Sequence, residues 1–129
     1  MTWRIGSTAP WEDVVGYSRA VVAGPWVEVS GTTSTRDGLL AHPGDAYAQA
    51  VQALSNIAAA LQAAGADMAD VVRTRMYVTD IDRWPDVARA HREVFAEIRP
   101  ATAMVEVARL FDPLMLVEIE ASAYVAARA

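Results

Sequence analysis

The sequence predicts an α+β fold, in which two helices cover one face of a mixed six-stranded sheet as a two-layer sandwich. Three observations support this prediction. Alternating runs of apolar and polar residues, typical of strands, occur near both ends of the chain and in its middle. Two stretches with apolar residues at helical spacing lie between them. The resulting element order is β(β)β-α-β-α-β-β, where the strand in parentheses is one that the pattern does not require.

Turn signals divide the first third of the chain into a hairpin and a loop. Short β-like runs span residues 18–23 and 26–30, and the Gly24-Pro25 dipeptide between them predicts a tight turn. Residues 31–44 are rich in turn formers and are predicted to form a loop, with a turn at Asp37-Gly38 inside it.

The first helix and the strand after it are predicted from caps and periodicity. Asp45 is a candidate N-cap, apolar residues recur at helical spacing from Tyr47 to Leu61, and Gly65 fits a C-terminal cap. Residues 71–78 then alternate as a strand.

The second helix is predicted from its boundaries and from one apolar side. Asp80 or Asp82 can cap its start, since Pro85 is tolerated in a first turn, and Pro100 closes it. Its apolar side consists of Val87, His91, Val94 and Phe95.

The last third contains two predicted strands, over residues 99–110 and 114–125. Alternation gives each strand one apolar face. The opposite faces carry Thr102, Met104 and Glu106 in the first strand and Leu116, Glu118, Glu120, Ser122 and Tyr124 in the second. Glutamates among apolar neighbours need partners or a ligand, so we expect function on this face.

The sheet face opposite the helices is predicted to be chemically mixed. Its predicted members are Trp26, Glu28, Arg73, Arg75, Tyr77, Met104, Glu106, Glu118 and Glu120. Arginines and glutamates on adjacent strands can pair across a sheet. The face as a whole resembles neither a solvated surface nor a core. We therefore expect it to lie against symmetric copies of the chain.

Composition narrows the function classes. The 129 residues, 53% hydrophobic and 21% charged, predict one globular domain over residues 1–129. The absence of cysteine excludes disulfides, thiolate metal sites and cysteine nucleophiles, and two isolated histidines predict no metal site. A net charge of −5 without a cationic run weighs against nucleic acid as the main partner. No secretory signal or membrane-length apolar run is present, so a cytoplasmic location is expected.

Several sequence pieces are shared with a known family. In chain order they are YSRA, VSG, QAVQALSNIAAA, AAGA, VTD, MVEVARL and LVEIEA. On these pieces the chain resembles the Rid (reactive intermediate deaminase) proteins, also called the YjgF-type or L-PSP endoribonuclease-like family. The resemblance implies a chorismate-mutase-like fold and a homotrimer whose sheets form a central barrel, with small-molecule clefts between subunits. It also implies hydrolysis of 2-imino or 2-enamino acids without a cofactor or metal.

The resemblance also implies site residues. Tyr17 corresponds to the family's tyrosine, Gly31 to its loop glycine, and Glu118 to the glutamate that positions the attacking water. Thr102 stands where the deaminases carry an arginine, and Met104 where they carry a cysteine.

The missing arginine bears on the substrate. Its guanidinium would clamp a carboxylate, and losing such a partner costs on the order of 2–5 kcal/mol. Arg75, predicted on the glutamate face, is the favoured replacement, because strands position groups better than loops, and Arg36 is the alternative.

The expected function is therefore hydrolysis of an imine or enamine other than the standard 2-imino acid, in an intersubunit cleft. The alternative is a non-catalytic protein that binds a small metabolite in the same cleft. An endoribonuclease activity is the weakest hypothesis, because the chain is acidic and lacks a basic patch.

Overall fold

The computed structural model describes residues 2–129. In chain order the strands are β1 (Thr2–Ile5), β2 (Ala20–Ala23), β3 (Trp26–Thr32), β4 (Thr35–Arg36), β5 (Leu39–Leu40), β6 (Val71–Val78), β7 (Ala101–Glu106) and β8 (Val117–Tyr124). The helices are α1 (Trp11–Val15), α2 (Ala46–Ala63) and α3 (Trp84–Phe95). Six strands form one sheet in the order β1-β2-β3-β8-β6-β7, and β4 pairs with β5 separately.

The predicted α+β architecture with a mixed six-stranded sheet is confirmed. Only the β6–β7 pair is parallel, and the other pairs of the large sheet are antiparallel. Two features differ from the prediction. The short helix α1 was not predicted, and the predicted loop over residues 31–44 contains the β4–β5 hairpin and the end of β3.

Local turn and cap chemistry explains where α2 and the hairpin lie. Asp37 and Gly38 both have positive φ (53° and 79°), which is the geometry that two-residue hairpin loops prefer. Asp45 accepts a hydrogen bond from the N–H of Ala48 at 2.9 Å, as an N-cap does. Gly65 follows the helix with φ of 73°, in the left-handed region. All three predictions are confirmed.

The start of α3 differs from the prediction. Asp80 caps a 3₁₀ turn over Ile81–Arg83, accepting from the N–H of Asp82, and α3 begins only at Trp84. Pro85 does lie in the first turn of α3.

The core lies between the sheet and the two long helices. Leu54, Ile57 and Leu61 of α2 are among its fully buried side chains, as are Val22, Val27, Val117 and Ile119 of the sheet. One buried polar residue, Gln49, donates to the carbonyls of His42 and Leu114 and accepts from the N–H of Leu116. These bonds fix the segment that leads into β8, which carries the candidate site.

The face of β7 was predicted wrongly. The parallel register places Thr102 beside Thr74 and Met104 beside Met76, and both Thr74 and Met76 are buried under the helices. Thr102, Met104 and Glu106 therefore lie on the helix side of the sheet, where Glu106 accepts from the N–H of Ile81 at 3.0 Å. The apolar positions lie on the other side, where Val105 is 46% exposed. Alternation gives the period of a strand but not which face is covered, and β7 is an edge strand.

The sheet face that α2 and α3 leave uncovered is called the open face below. Its residues on the central strands are Glu28, Arg73, Arg75, Tyr77, Glu118, Glu120 and Ser122. The predicted placement of Trp26, Glu28, Arg73, Arg75, Tyr77, Glu118 and Glu120 on this face is confirmed. No helix within residues 2–129 has the length and apolar character needed to cross a membrane.

Candidate functional site

Glu118 lies directly against the backbone of Gly31. Strand β3 has an irregular register between Val29 and Thr32, so that Gly31 approaches β8 closely. A Cβ atom at Gly31 would lie 2.9 Å from Cδ of Glu118 and 3.1 Å from both carboxylate oxygens. The missing side chain at Gly31 makes room for the Glu118 carboxylate. The φ of Gly31 lies outside the left-handed region, so its backbone conformation does not itself require glycine.

Arg19 joins three of the predicted site residues. Its Nη2 donates to the carbonyl oxygen of Gly31 at 2.5 Å, and its guanidinium carbon lies 5.9 Å from the centroid of the Tyr17 ring. Its positive charge also acts on Glu118. Sequence reasoning missed Arg19, although it lies inside the YSRA piece, two residues after Tyr17. Its position two residues after Tyr17, directly before strand β2, was the only indication in the sequence that Arg19 lies near Tyr17.

The carboxyl group of Glu118 has a raised pKa. Partial burial is the largest cause and the neighbouring Glu120 carboxylate adds to it, while Arg19 acts in the opposite direction. A half-buried glutamate with a raised pKa can hold and release a proton closer to neutral pH than an exposed one.

Ionisation of Glu118 should lower the free energy of unfolding, so this free energy should depend on pH. Because its folded-state pKa lies above the ordinary value of 4.5, the stabilisation by protonated Glu118 is complete below about pH 4.5 and is lost as pH rises through the folded pKa. We expect the wild-type unfolding free energy, relative to that of Glu118→Gln, to fall over this window. Urea denaturation of both proteins from pH 4 to 8 measures it, and a difference that is constant or rises with pH would disprove the assignment.

The other acids of the open face have partners of their own. Tyr77 donates its hydroxyl to Glu120 at 2.7 Å, and this bond is the main cause of a raised Tyr77 pKa. Ser122 donates to Glu28 at 2.5 Å. These two separate pairs each bridge neighbouring strands. Glu118 differs from Glu28 and Glu120 in lying against the Gly31 backbone.

A cleft opens next to α1 and reaches Ser30, although Glu118 is not part of its lining. It has a volume of about 560 Å³, and its lining includes Arg4, Tyr17, Ser18 and the two acids of α1, Glu12 and Asp13. Ser30 immediately precedes Gly31 and donates to the carbonyl of Ser18 at 2.6 Å. The volume is in the range that small-molecule sites occupy.

The predicted replacement clamp, Arg75, shares the open face with Glu118. It pairs in register with Glu120 and is exposed, and its charge acts on Tyr77. The guanidinium that acts on Glu118 is instead that of Arg19. Arg36 lies on the separate β4 strand, also exposed.

Thr102 and Met104 are on the other side of the sheet from Glu118. The Thr102 hydroxyl lies 2.7 Å from that of Thr74, which in turn lies 2.8 Å from Nε2 of His91. Burial lowers the pKa of His91. Tyr17, Gly31 and Glu118 thus come together within one chain, and Thr102 and Met104 do not join them. Among residues 2–129 no three acidic or histidine side chains converge as metal ligands.

Comparisons with known proteins place the chain in a family. The family model described as Endoribonuclease L-PSP matches residues 7–125. The chain belongs to this family. The predicted resemblance to the Rid/YjgF proteins is thereby confirmed.

Curated and solved members of the family agree with this assignment. The Escherichia coli 2-iminobutanoate/2-iminopropanoate deaminase is 34% identical over 110 residues, covering 83% of this chain and 85% of the deaminase. A Mycobacterium tuberculosis structure of the YjgF/YER057c/UK114 family is 51% identical, with a TM-score of 0.89, and covers 97% of this chain and 100% of its own. The E. coli TdcF structure with bound serine is 28% identical, with a TM-score of 0.78, and the match covers 94% of this chain and 92% of the TdcF chain.

Proposed function

We propose that this family member hydrolyses an imine or enamine to a carbonyl compound and ammonia, with Glu118 as the group that activates water. The carboxylate of Glu118, half-buried against Gly31 and with a raised pKa, is the observation that supports this. The 34% sequence identity to the E. coli 2-iminobutanoate/2-iminopropanoate deaminase adds support.

The reaction needs few groups. Water adds to the electrophilic imine carbon while Glu118 accepts a proton from it, which forms the new C–O bond. The carboxyl group returns this proton to the nitrogen, which gives a carbinolamine. Transfer of the hydroxyl proton to the nitrogen, again through Glu118, lets the C–N bond break as the carbonyl forms, so that ammonia leaves. An enamine first takes a proton on carbon and loses one from nitrogen to become the imine.

The substrate is proposed to differ from the standard 2-imino acid. Thr102 carries no charge, and its hydroxyl is already engaged with Thr74. A carboxylate attached directly to the imine carbon therefore lacks the guanidinium that position 102 supplies in the deaminases.

We propose further that the chain forms one domain and assembles as a homotrimer with ligand clefts between subunits. The open face supports this, since it exposes Trp26 (43%) and Val105 (46%) beside charged side chains. Glu118 and Thr102 lie on opposite sides of the sheet in one chain. A small ligand can contact both only where two copies meet.

Restoring the arginine tests the proposal. We expect Thr102→Arg to lower KM for freshly generated 2-iminobutanoate about tenfold or more, because a guanidinium–carboxylate pair contributes well over 1 kcal/mol. A coupled assay for 2-oxobutanoate formation measures the rates, and Thr79→Arg, outside the candidate site, serves as the control. Equal KM values for the wild type and Thr102→Arg would contradict the assignment of position 102.

A non-catalytic binding protein is the second candidate, favoured by the bound serine in the E. coli TdcF structure. Saturable binding of the same substrates without ammonia release would establish it in place of the hydrolase.

A further inference from the structure

A second cleft lies on the helix side of the sheet, at the end of α3. It has a volume of about 350 Å³ and is lined by His91, Arg92, Phe95, Ala96, Arg99 and Pro100. The lining contains two arginines and no acid, in a chain whose net charge is −5. Guanidinium groups bind planar oxyanions through paired hydrogen bonds.

Arg99 is an exposed residue whose side chain is anchored to the end of α3 by one hydrogen bond. Its φ is 54°, in the left-handed region. Its backbone N–H donates to the carbonyl of Phe95 at 2.9 Å, and its side-chain Nε donates to the carbonyl of Ala96 at 2.9 Å. These bonds use one edge of the guanidinium and leave its two terminal nitrogens as donors. A donor fixed in this way loses less entropy when a ligand binds.

Glu93, an acidic residue of α3, takes part in a contact outside the cleft. Glu93 accepts from the hydroxyl of Tyr47 at 2.6 Å, and the guanidinium of Arg89 lies 3.7 Å from the centre of the same ring. This group joins α3 to α2. Glu97 is exposed and does not line the cleft.

The rest of the cleft wall is apolar or neutral. Phe95 is buried, with its ring centroid 4.5 Å from that of His91. Burial lowers the pKa of His91, which favours the neutral ring, and its Nε2 is paired with Thr74. A wall of this kind suits a ligand with an apolar body as well as a negative group.

We propose that this cleft binds the carboxylate of a small organic acid, with Arg99 as the main donor and Arg92 as the second. Thr102 lies on the same side of the sheet, linked to His91 through Thr74, whereas Arg75 lies on the open face. Arg99, and not Arg75, is therefore the residue whose guanidinium lies on the same side of the sheet as Thr102. Its use in turnover rests on the proposed function and requires a second copy, since Glu118 lies on the opposite face.

Binding of benzoate tests the proposal. We expect the Kd of benzoate, measured by calorimetric or NMR titration, to rise about tenfold or more in Arg99→Asn. Asparagine suits the variant because it tolerates positive φ. Arg109→Gln, which removes an exposed arginine that follows β7 and does not line the cleft, should leave the Kd unchanged. Benzamide and inorganic phosphate should bind more weakly than benzoate.

Each contrary result overturns a stated part of the proposal. Equal benzoate affinities of the wild type and Arg99→Asn, or no benzoate binding to either, contradict the assignment of Arg99. Benzamide or phosphate binding as tightly as benzoate contradicts recognition of an organic carboxylate.

The outcome is separable from that of the proposed function. Imine hydrolysis that depends on Glu118 but keeps its KM in Arg99→Asn supports the hydrolase and overturns the use of Arg99 in turnover. Benzoate binding that depends on Arg99, without turnover of any imine, supports the inference and overturns the hydrolase.

Discussion

Glu118→Gln is expected to lower the rate of imine hydrolysis by about 10²–10⁴-fold, the usual contribution of a general acid–base group. Glutamine keeps the size of the side chain and its packing against Gly31, but its amide cannot accept and return a proton. Ammonia release under saturating substrate measures the effect. Because the side chain is only half-buried, the variant should fold as the wild type does.

Glu28→Gln is the matched control for that variant. Glu28 is a glutamate of the same open face, but it bonds Ser122 rather than lying beside Gly31. Its replacement should leave the rate within about twofold of the wild type, since it takes no part in proton transfer. Similar losses in both variants would mean that the face needs its charges for assembly, and that Glu118 has no special role.

Gly31→Ala should separate catalysis from stability. The new Cβ would meet Cδ of Glu118 at 2.9 Å, a distance that real contacts avoid, so the carboxylate must move. Since Cδ is the far end of a flexible side chain, the move costs little stability. A displacement of about 1 Å can still cost about 10²-fold in rate, because the attacking water is no longer aligned.

Rates and urea unfolding of the same Gly31→Ala preparation test this expectation. The control is Gly6→Ala, where the added Cβ would lie 3.5 Å from Oε1 of Glu12, an ordinary contact. Wild-type turnover in Gly31→Ala would show that the close approach of Gly31 and Glu118 has no catalytic role.

The parts of the fold that the sequence predicted best carry local signals. Helix α2 has an N-cap in Asp45, a continuous apolar side and a terminal Gly65, and all three act within a few residues. The Asp37-Gly38 turn is equally local, because both residues tolerate positive φ. Helix α1 ends at Gly16 in the left-handed region, but it spans only five residues and buries none of them, so it shows no apolar periodicity.

The parts that were missed depend on long-range packing. Whether Thr102 or Val105 faces the helices depends on how far α3 covers the edge strand, which alternation does not specify. The resemblance suggested Tyr17, Gly31 and Glu118, but pattern alone could not have joined them, since they lie on three separate segments. The role of Arg19 depends on its contacts with Tyr17 and Gly31, which its position in the YSRA piece indicates only by proximity to Tyr17.

The number of ammonia molecules released per chain distinguishes a hydrolase from a binding protein. Wild-type protein would be given freshly generated 2-iminobutanoate and two imines without a carboxylate on the imine carbon, 4-iminopentanoate and 2-iminobutane. Glu118→Gln would be run in parallel, and the spontaneous hydrolysis of each imine would be subtracted. We expect many turnovers of at least one substrate by the wild type and a loss of that activity in Glu118→Gln. Saturable binding with no more than one ammonia per chain for every substrate would contradict it and leave a binding protein.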